Sequence, residues 1–285
     1  MKQMTADEFN EAIRVDPAWA SRLTDPVEIT NYFIIDLSNV THLSPFLYFS
    51  GRDRNARTAY FAGCYRLKIA EGTFVGSVDF SDSRVEKIGK LKITGSDTRG
   101  NAATFEGCMH LEVAGGDFFG CVNFSNSGIN QISGLHITAP DKNGNAATFD
   151  GCEYLEVAEG TFPGAVSFRN SGVEKIGDLR ITAPDQDGNA ACFNNCLRLK
   201  IAEGTFPGFV DFENSGVETV GELSITKANT SGHKANFRGC DVRLSKEFLG
   251  PEYLMDDGTR QKSLEWIAIQ RASVKAHWDQ PDIEI

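Results

Sequence analysis

Phe-x-x-Cys recurs five times at a constant spacing of 44 residues, ending at Cys64, Cys108, Cys152, Cys196 and Cys240. One structural unit is therefore copied along the chain. A unit this short cannot close a core by itself, so each copy must bury its apolar side against the next. The best-preserved copies are 144–187 and the one that begins at Gly188.

Each unit divides again into parts of about 20 and 24 residues. The first carries Ala147, Phe149, Cys152, Leu155 and Val157 in the pattern Ala-x-Phe-x-x-Cys-x-x-Leu-x-Val. The second carries Val166, Phe168, Ser171, Ile176, Leu179 and Ile181. Both hold short period-2 apolar runs separated by Gly, Asn and Asp turns, the pattern of short strands. The fold expected is a repeat β-solenoid, leucine-rich-repeat-like, with parallel short strands stacked in coils and small helical caps at both ends. An odd and an even coil together form the repeat. Phe61, Phe105, Phe149, Phe193 and Phe237 are expected to form one internal column. Phe80, Phe124, Phe168 and Phe212 continue it in the even coils, and Phe74, Phe118, Phe162 and Phe206 form another.

The ends differ in kind. Thr5 and Glu8 make a capping box ahead of Phe9, Ala12 and Ile13, and Asp16-Pro17 offers a second helix start before Ala18, Trp19 and Ala20. From Thr259 to about His277 the chain reads as a helix with Leu264, Ile267 and Val274 on one side. The expected division is an N-terminal helical cap over 1–34, the solenoid over 35–244 and a C-terminal helical cap over 245–285. A degenerate coil through Ile35, Asp36, Leu37, Val40, Leu43 and Tyr48 joins the first two.

The phrase Phe149-Asp150-Gly151-Cys152-Glu153-Tyr154-Leu155 resembles the BspA-like leucine-rich repeats of bacterial proteins, as does Val173-Glu174-Lys175-Ile176-Gly177. The likeness covers most of 35–244. It departs from the family at Val157, which follows Leu155 too closely, and at Ser83, Ser127, Ser171 and Ser215, which replace Cys in the even coils. The resemblance implies a protein-binding module, often at surfaces or in host contact, with no catalytic residues to carry over.

The seven cysteines do not read as disulfides or a metal site. With strands about 4.8 Å apart, cysteines two coils apart lie near 9.6 Å, beyond disulfide reach. One cysteine per level cannot assemble a four-ligand zinc site either. Unpaired thiols suit a reducing compartment. The start Met-Lys-Gln-Met-Thr lacks a signal peptide's apolar core, so a cytoplasmic location is expected, or a secreted or surface one if a leader was removed. The turns at Asp141 and Asp185 hint at calcium loops, but no distant acid recurs and Arg99 sits inside one copy. Asn101, Asn145 and Asn189 are expected to bond the backbone of their own corners.

His42, His110, His136, His233 and His277 are scattered, and no nucleophilic triad is suggested. The chain is expected to be non-catalytic, to need no cofactor and to hold no metal. What varies between copies points outward: Lys68, Lys92, Glu112, His136, Glu156, Arg180, Lys200 and Ser224 read as one solvent-facing column of mixed charge. Tyr65, Met109, Glu153 and Leu197, each following a repeat cysteine, vary as well. The leading expectation is a monomeric module that recognises a protein partner through that column. A structural or self-assembling solenoid is the alternative. A polysaccharide-acting β-helix enzyme using Glu112 and Glu156 is a third, their separation of about 9.6 Å lying near the inverting-glycosidase range. A net charge of −11 argues against nucleic acid and anionic membranes as partners.

Overall fold

The computed structural model describes residues 1–31, 33–34, 40 and 42–278. Ile35, Asp36 and Leu37 of the expected degenerate coil lie outside them, while Val40 and Leu43 are buried. The chain winds as a parallel β-solenoid with two strand-bearing faces. On one face, short strands such as Asn145–Thr148 and Ala165–Ser167 form an eleven-stranded sheet running from Phe33–Ile34 to Tyr253–Leu254. On the other, longer strands form a seven-stranded sheet from Lys2–Met4 to Gln131–Ile137. Two parallel pairs follow it, Val157–Phe162 with Lys175–Ile181 and Ile201–Phe206 with Thr219–Ile225. Pairing already begins with Lys2–Met4 and Val27–Ile29, and Tyr253–Leu254 adds a last short strand, so both ends assigned to caps also contribute to the sheets.

The expected aromatic column is one ladder through odd and even coils. Phe61, Phe80, Phe105, Phe124, Phe149, Phe168, Phe193, Phe212 and Phe237 stack in that order, with ring centroids 4.9–5.5 Å apart and planes within 11° of parallel. The strand spacing of about 4.8 Å sets the step. The second column is not purely aromatic. Phe74, Phe118, Phe162 and Phe206 alternate with Ile93, Ile137, Ile181 and Ile225, their neighbours across the ladder. Phe118 and Phe162 meet the main ladder edge-on, 6.3 Å from Phe105 and 6.2 Å from Phe149.

Cys and Ser alternate in a buried spine. The Cys108 thiol donates to the Phe80 carbonyl at 3.1 Å and accepts from the Ser83 hydroxyl at 3.5 Å. The same pair of bonds recurs at Cys152, Cys196 and Cys240, with Ser127, Ser171 and Ser215. None of the seven cysteines is in a disulfide. At the adjoining even-coil corner, a Cβ on Gly172 would lie 2.0 Å from the Glu153 carbonyl oxygen. That corner is pressed onto the coil before it, and the odd-coil corners stand proud.

The turns expected to resemble calcium loops are carboxylate-centred corners. Asp141 accepts from the backbone N–H of Asn143 at 2.9 Å and of Asn145 at 2.8 Å, and Asp97 and Asp185 repeat the arrangement. The side-chain amides of Asn101, Asn145 and Asn189 donate to these carboxylates instead of to the backbone, because each aspartate binds backbone N–H groups through Oδ1 and presents Oδ2 to the amide. Successive corners are also joined, Lys142 N–H donating to the Arg99 carbonyl and Gln186 N–H to that of Asn143. Replacing Asp141 by Ala should lower stability by about 2 kcal/mol, from the loss of charge-assisted bonds to two N–H groups. Asp141→Asn should recover most of it, since Asn229 makes the same bonds to Ser231 and His233. Urea midpoints of the two variants measure the difference.

Both caps are present. Helix α1, Ala6–Val15, starts at the predicted capping box, with Glu8 N–H on Thr5 Oγ1 at 3.2 Å and Thr5 N–H on Glu8 Oε2 at 2.7 Å. It lays Phe9 against Trp19 and Phe49. The second predicted helix start gives only the 3-10 turn Ala20–Arg22. Helix α2, Asp257–Trp278, docks differently from expectation. Leu264 is exposed and Ile267 half-buried, and polar contacts tie the helix to the coil: Ser263 Oγ accepts from Leu244 N–H at 2.9 Å, and Thr259 Oγ1 donates to the Cys240 carbonyl at 3.1 Å. The end of a coil presents backbone groups that need partners, and these hydroxyls supply them. The Val274 side chain lies outside the described residues.

Candidate functional site

The long-strand face carries the predicted binding residues, and all eight are exposed: Lys68, Lys92, Glu112, His136, Glu156, Arg180, Lys200 and Ser224. They do not form one column. Glu174 N–H bonds the Glu156 carbonyl at 2.8 Å, which places Glu156 beside Glu174, while Arg180 stands beside Thr161. Lys68, Glu112, Glu156 and Lys200 therefore belong to one file, next to Glu86, Asn130, Glu174 and Glu218. Lys92, His136, Arg180 and Ser224 belong to another, next to Thr73, Asp117, Thr161 and Thr205. Five residues of strand separate the files, roughly 16 Å.

The cause is a register shift. Between the pairs Ala158↔Ile176 and Gly160↔Leu179 the odd strand spends one residue and the even strand two. Gly160, at φ 109°, adopts the left-handed backbone that absorbs the mismatch. Leu155-x-Val157 and Leu179-x-Ile181 look equivalent in sequence, yet they lie at opposite ends of the face.

The first file holds the ion pairs. Lys68 Nζ is 2.9 Å from Glu86 and Lys200 Nζ is 2.7 Å from Glu218, while Arg198 pairs with Glu174. Both lysine pairs are well exposed and contribute little to stability. Asn130 adjoins Glu112 on this file, and His136 adjoins Asp117 on the other.

Beside the first file runs a ridge that sequence reasoning saw only as variability. Tyr65, Met109 and Leu197, each directly after a repeat cysteine at an odd-coil corner, are 61%, 60% and 69% exposed, whereas the third copy puts exposed Glu153 in that place and Tyr154, 59% exposed, one residue further on. Val113 and Ile201, at the start of the adjoining strands, are exposed as well. The corners repeat every second coil, about 9.6 Å apart, and the Gly128, Gly172 and Gly216 corners recede between them. The result is an apolar row interrupted by Glu153 in the third copy, with Tyr154 beside it, and flanked by charge. The signal lay in large apolar residues falling at successive turns, where a soluble surface usually carries polar ones.

The outer side of the short-strand face forms a groove of mixed character, lined by Thr148, Ser167, Cys192 and Asp211 together with Ala147 and Ala191. Arg169 leans over Cys192, Nη2 to Sγ 3.9 Å, and burial pushes that thiol up. Among the described residues no group of His, Cys, Asp and Glu is placed to hold a metal ion, and no helix is long and apolar enough to cross a membrane. Set against protein-family models, curated proteins and solved structures, the chain matches none.

Proposed function

We propose that the protein is a non-catalytic interaction module that recognises a protein partner along the projecting corners and the charged file beside them. The observation that carries this reading is the set Tyr65, Met109, Tyr154 and Leu197, large apolar side chains left more than half exposed at the odd-coil corners of four successive repeats, Tyr154 standing one residue beyond the position the other three share. Aromatic and aliphatic side chains with charge around them are the composition of an interface core and rim. The likeness of Phe149-Asp150-Gly151-Cys152 to BspA-like repeats supports the same function, and the net charge of −11 favours a partner with a basic patch. A reducing compartment suits the unpaired thiols.

The test separates surface from scaffold. The double variant Tyr154→Ala/Leu197→Ala and the charge reversal Glu156→Lys/Arg180→Glu alter exposed side chains only, and among the described residues neither Glu156 nor Arg180 is in an ion pair. Both variants should melt within a degree or two of the parent protein. Partners purified with the parent from its native cell should be lost from the first variant by about tenfold or more, the scale of an interface anchor. The charge reversal should weaken the same partners at low salt. Equal recovery of the same partners by both variants would refute the proposal.

A further inference from the structure

The second repeat departs from its siblings at four places on the outer side of the long-strand face. Gly115 stands where the other copies have Glu71, Glu159 and Glu203, and Asp117 where they have Thr73, Thr161 and Thr205. Phe119 takes the place of Val75, Pro163 and Pro207, and Gly134 that of Lys90, Asp178 and Glu222. The inward residues of the same strands, Ala114, Phe118, Ile132 and Ile137, keep the core pattern and are buried. One outward area has changed its chemistry while the scaffold beneath it has not.

Register brings these changes together. Lys92, Asp117 and His136 are direct neighbours on three successive strands, so Lys92 and His136 stand about 9.6 Å apart with Asp117 between them. Two residues on, Phe119 lies between Thr94 and Thr138, its N–H on the Ile93 carbonyl at 2.8 Å and Thr138 N–H on the Phe118 carbonyl at 3.0 Å. The Phe119 ring is 50% exposed. A cleft of about 340 Å³ opens over these six side chains. Next to His136, Gly134 leaves the way clear, since a Cβ there would meet nothing within 4 Å. Among the described residues Lys92, Asp117 and His136 are in no ion pair and no side-chain hydrogen bond, unlike Lys68 with Glu86 and Lys200 with Glu218. The charge is local as well. Strand Lys87–Ile93 carries three lysines and no acid, and Arg52 Nη2 lies 3.3 Å from where a Cβ of Gly95 would stand, beside Thr94. A net charge of −11 therefore does not exclude an anion from this place.

We propose that this cleft binds a sugar acid, a pyranose ring bearing a carboxylate. The exposed face of Phe119 stacks on the apolar C–H face of the sugar, Asp117 accepts from its hydroxyls, and Lys92 meets the carboxylate in a charge-assisted bond. His136 donates a ring N–H to a further oxygen. An aromatic wall with a few convergent polar groups is the common make-up of a small-molecule site. A phosphate ester is the poorer occupant, because Asp117 at the centre repels a doubly charged group and needs hydroxyl donors. The cleft lies on the second file, away from the corner row, and does not depend on the partner proposed for that row.

The probes are the methyl glycosides of glucuronic and galacturonic acid, each set beside the neutral glycoside of the same sugar and titrated into the full chain. At least one uronide should shift the NMR signals of the Phe119 ring and the His136 imidazole, with a Kd of about 1 mM. Its neutral counterpart should bind about tenfold more weakly, for want of the charge-assisted bond. Lys92→Gln should remove that preference and leave the neutral glycoside unaffected, whereas Phe119→Ala should weaken both sugars by about tenfold. Both variants change exposed side chains and should melt within a degree or two of the parent. A trisaccharide of the same uronic acid that binds more tightly than the single sugar would assign the ligand to an acidic glycan, and equal affinity would assign it to a free sugar acid. Four results would overturn the proposal: no shift at about tenfold the expected Kd of either uronide, equal binding of acidic and neutral glycosides by the parent, undiminished binding by Phe119→Ala, or tighter binding of inorganic phosphate at the same residues. The last would give the cleft to a phosphate ligand.

Discussion

Replacing Phe149 by Ala is expected to lower the unfolding free energy by about 3–5 kcal/mol, the cost of truncating a buried aromatic side chain. The ring is fully buried and stacks on Phe124 and Phe168, each 5.3 Å away, with Phe162 edge-on. Its neighbours cannot close the gap, because each is held at its own level by the strands that carry it. The lesion also falls midway along a one-dimensional array, where stability is a sum of units and their interfaces. Weakening the central interface uncouples the two halves. Trp19 and Trp266 belong to opposite caps, so fluorescence reports the ends while circular dichroism reports the whole. In the parent the two signals should share one urea transition, and in Phe149→Ala they should separate. A loss below about 1 kcal/mol with coincident transitions would mean that the ladder is not the main source of cohesion.

How much of this was legible in the sequence depended on whether spacing alone could carry it. The aromatic ladder was legible because Phe149 and its equivalents recur at a constant interval, and a constant interval in a solenoid is a constant place. The N-terminal cap was legible because Thr5 and Glu8 act locally. The outer face was not. Its register depends on one additional residue near Gly177 and on the backbone that Gly160 adopts, which no count of apolar positions reveals. The eight charged and polar positions were therefore placed on the correct side of the sheet but in one file when they occupy two. The Cys–Ser spine escaped notice for a different reason. Ser171 looked like a substitution for cysteine, whereas it is the hydroxyl partner of Cys196 in the adjacent coil. Helix α2 was misjudged because apolar Leu264 outweighed Ser263, although the end of a coil offers a helix unpaired backbone groups as well as carbon.

The spine leads to the second large effect, a loss of stability in alkali. Burial raises the thiols of Cys108 and Cys196 from an ordinary value of 9.0 to about 11, offset only in part by the Ser83 and Ser171 hydroxyls. Cys152 and Cys240 are raised for the same reason. A thiol whose pKa is higher in the folded state releases its proton more readily in the unfolded chain. The stabilisation is therefore complete below about pH 9 and is lost as pH rises through about 11. Two units correspond to about 3 kcal/mol for each of Cys108 and Cys196, so together they approach the whole margin of a typical domain. Thermal midpoints should fall steeply between pH 9 and 11, and thiol reagents at pH 8 should react with the spine only after denaturant is added. Because lysines and tyrosines titrate in the same range, the control is a variant with Ser in place of Cys108 and Cys196. It should be less stable than the parent at pH 7 yet lose less between pH 9 and 11. Parallel losses in the two proteins would place the alkaline sensitivity elsewhere, and rapid labelling of the native thiols at pH 8 would show that the spine is open to solvent.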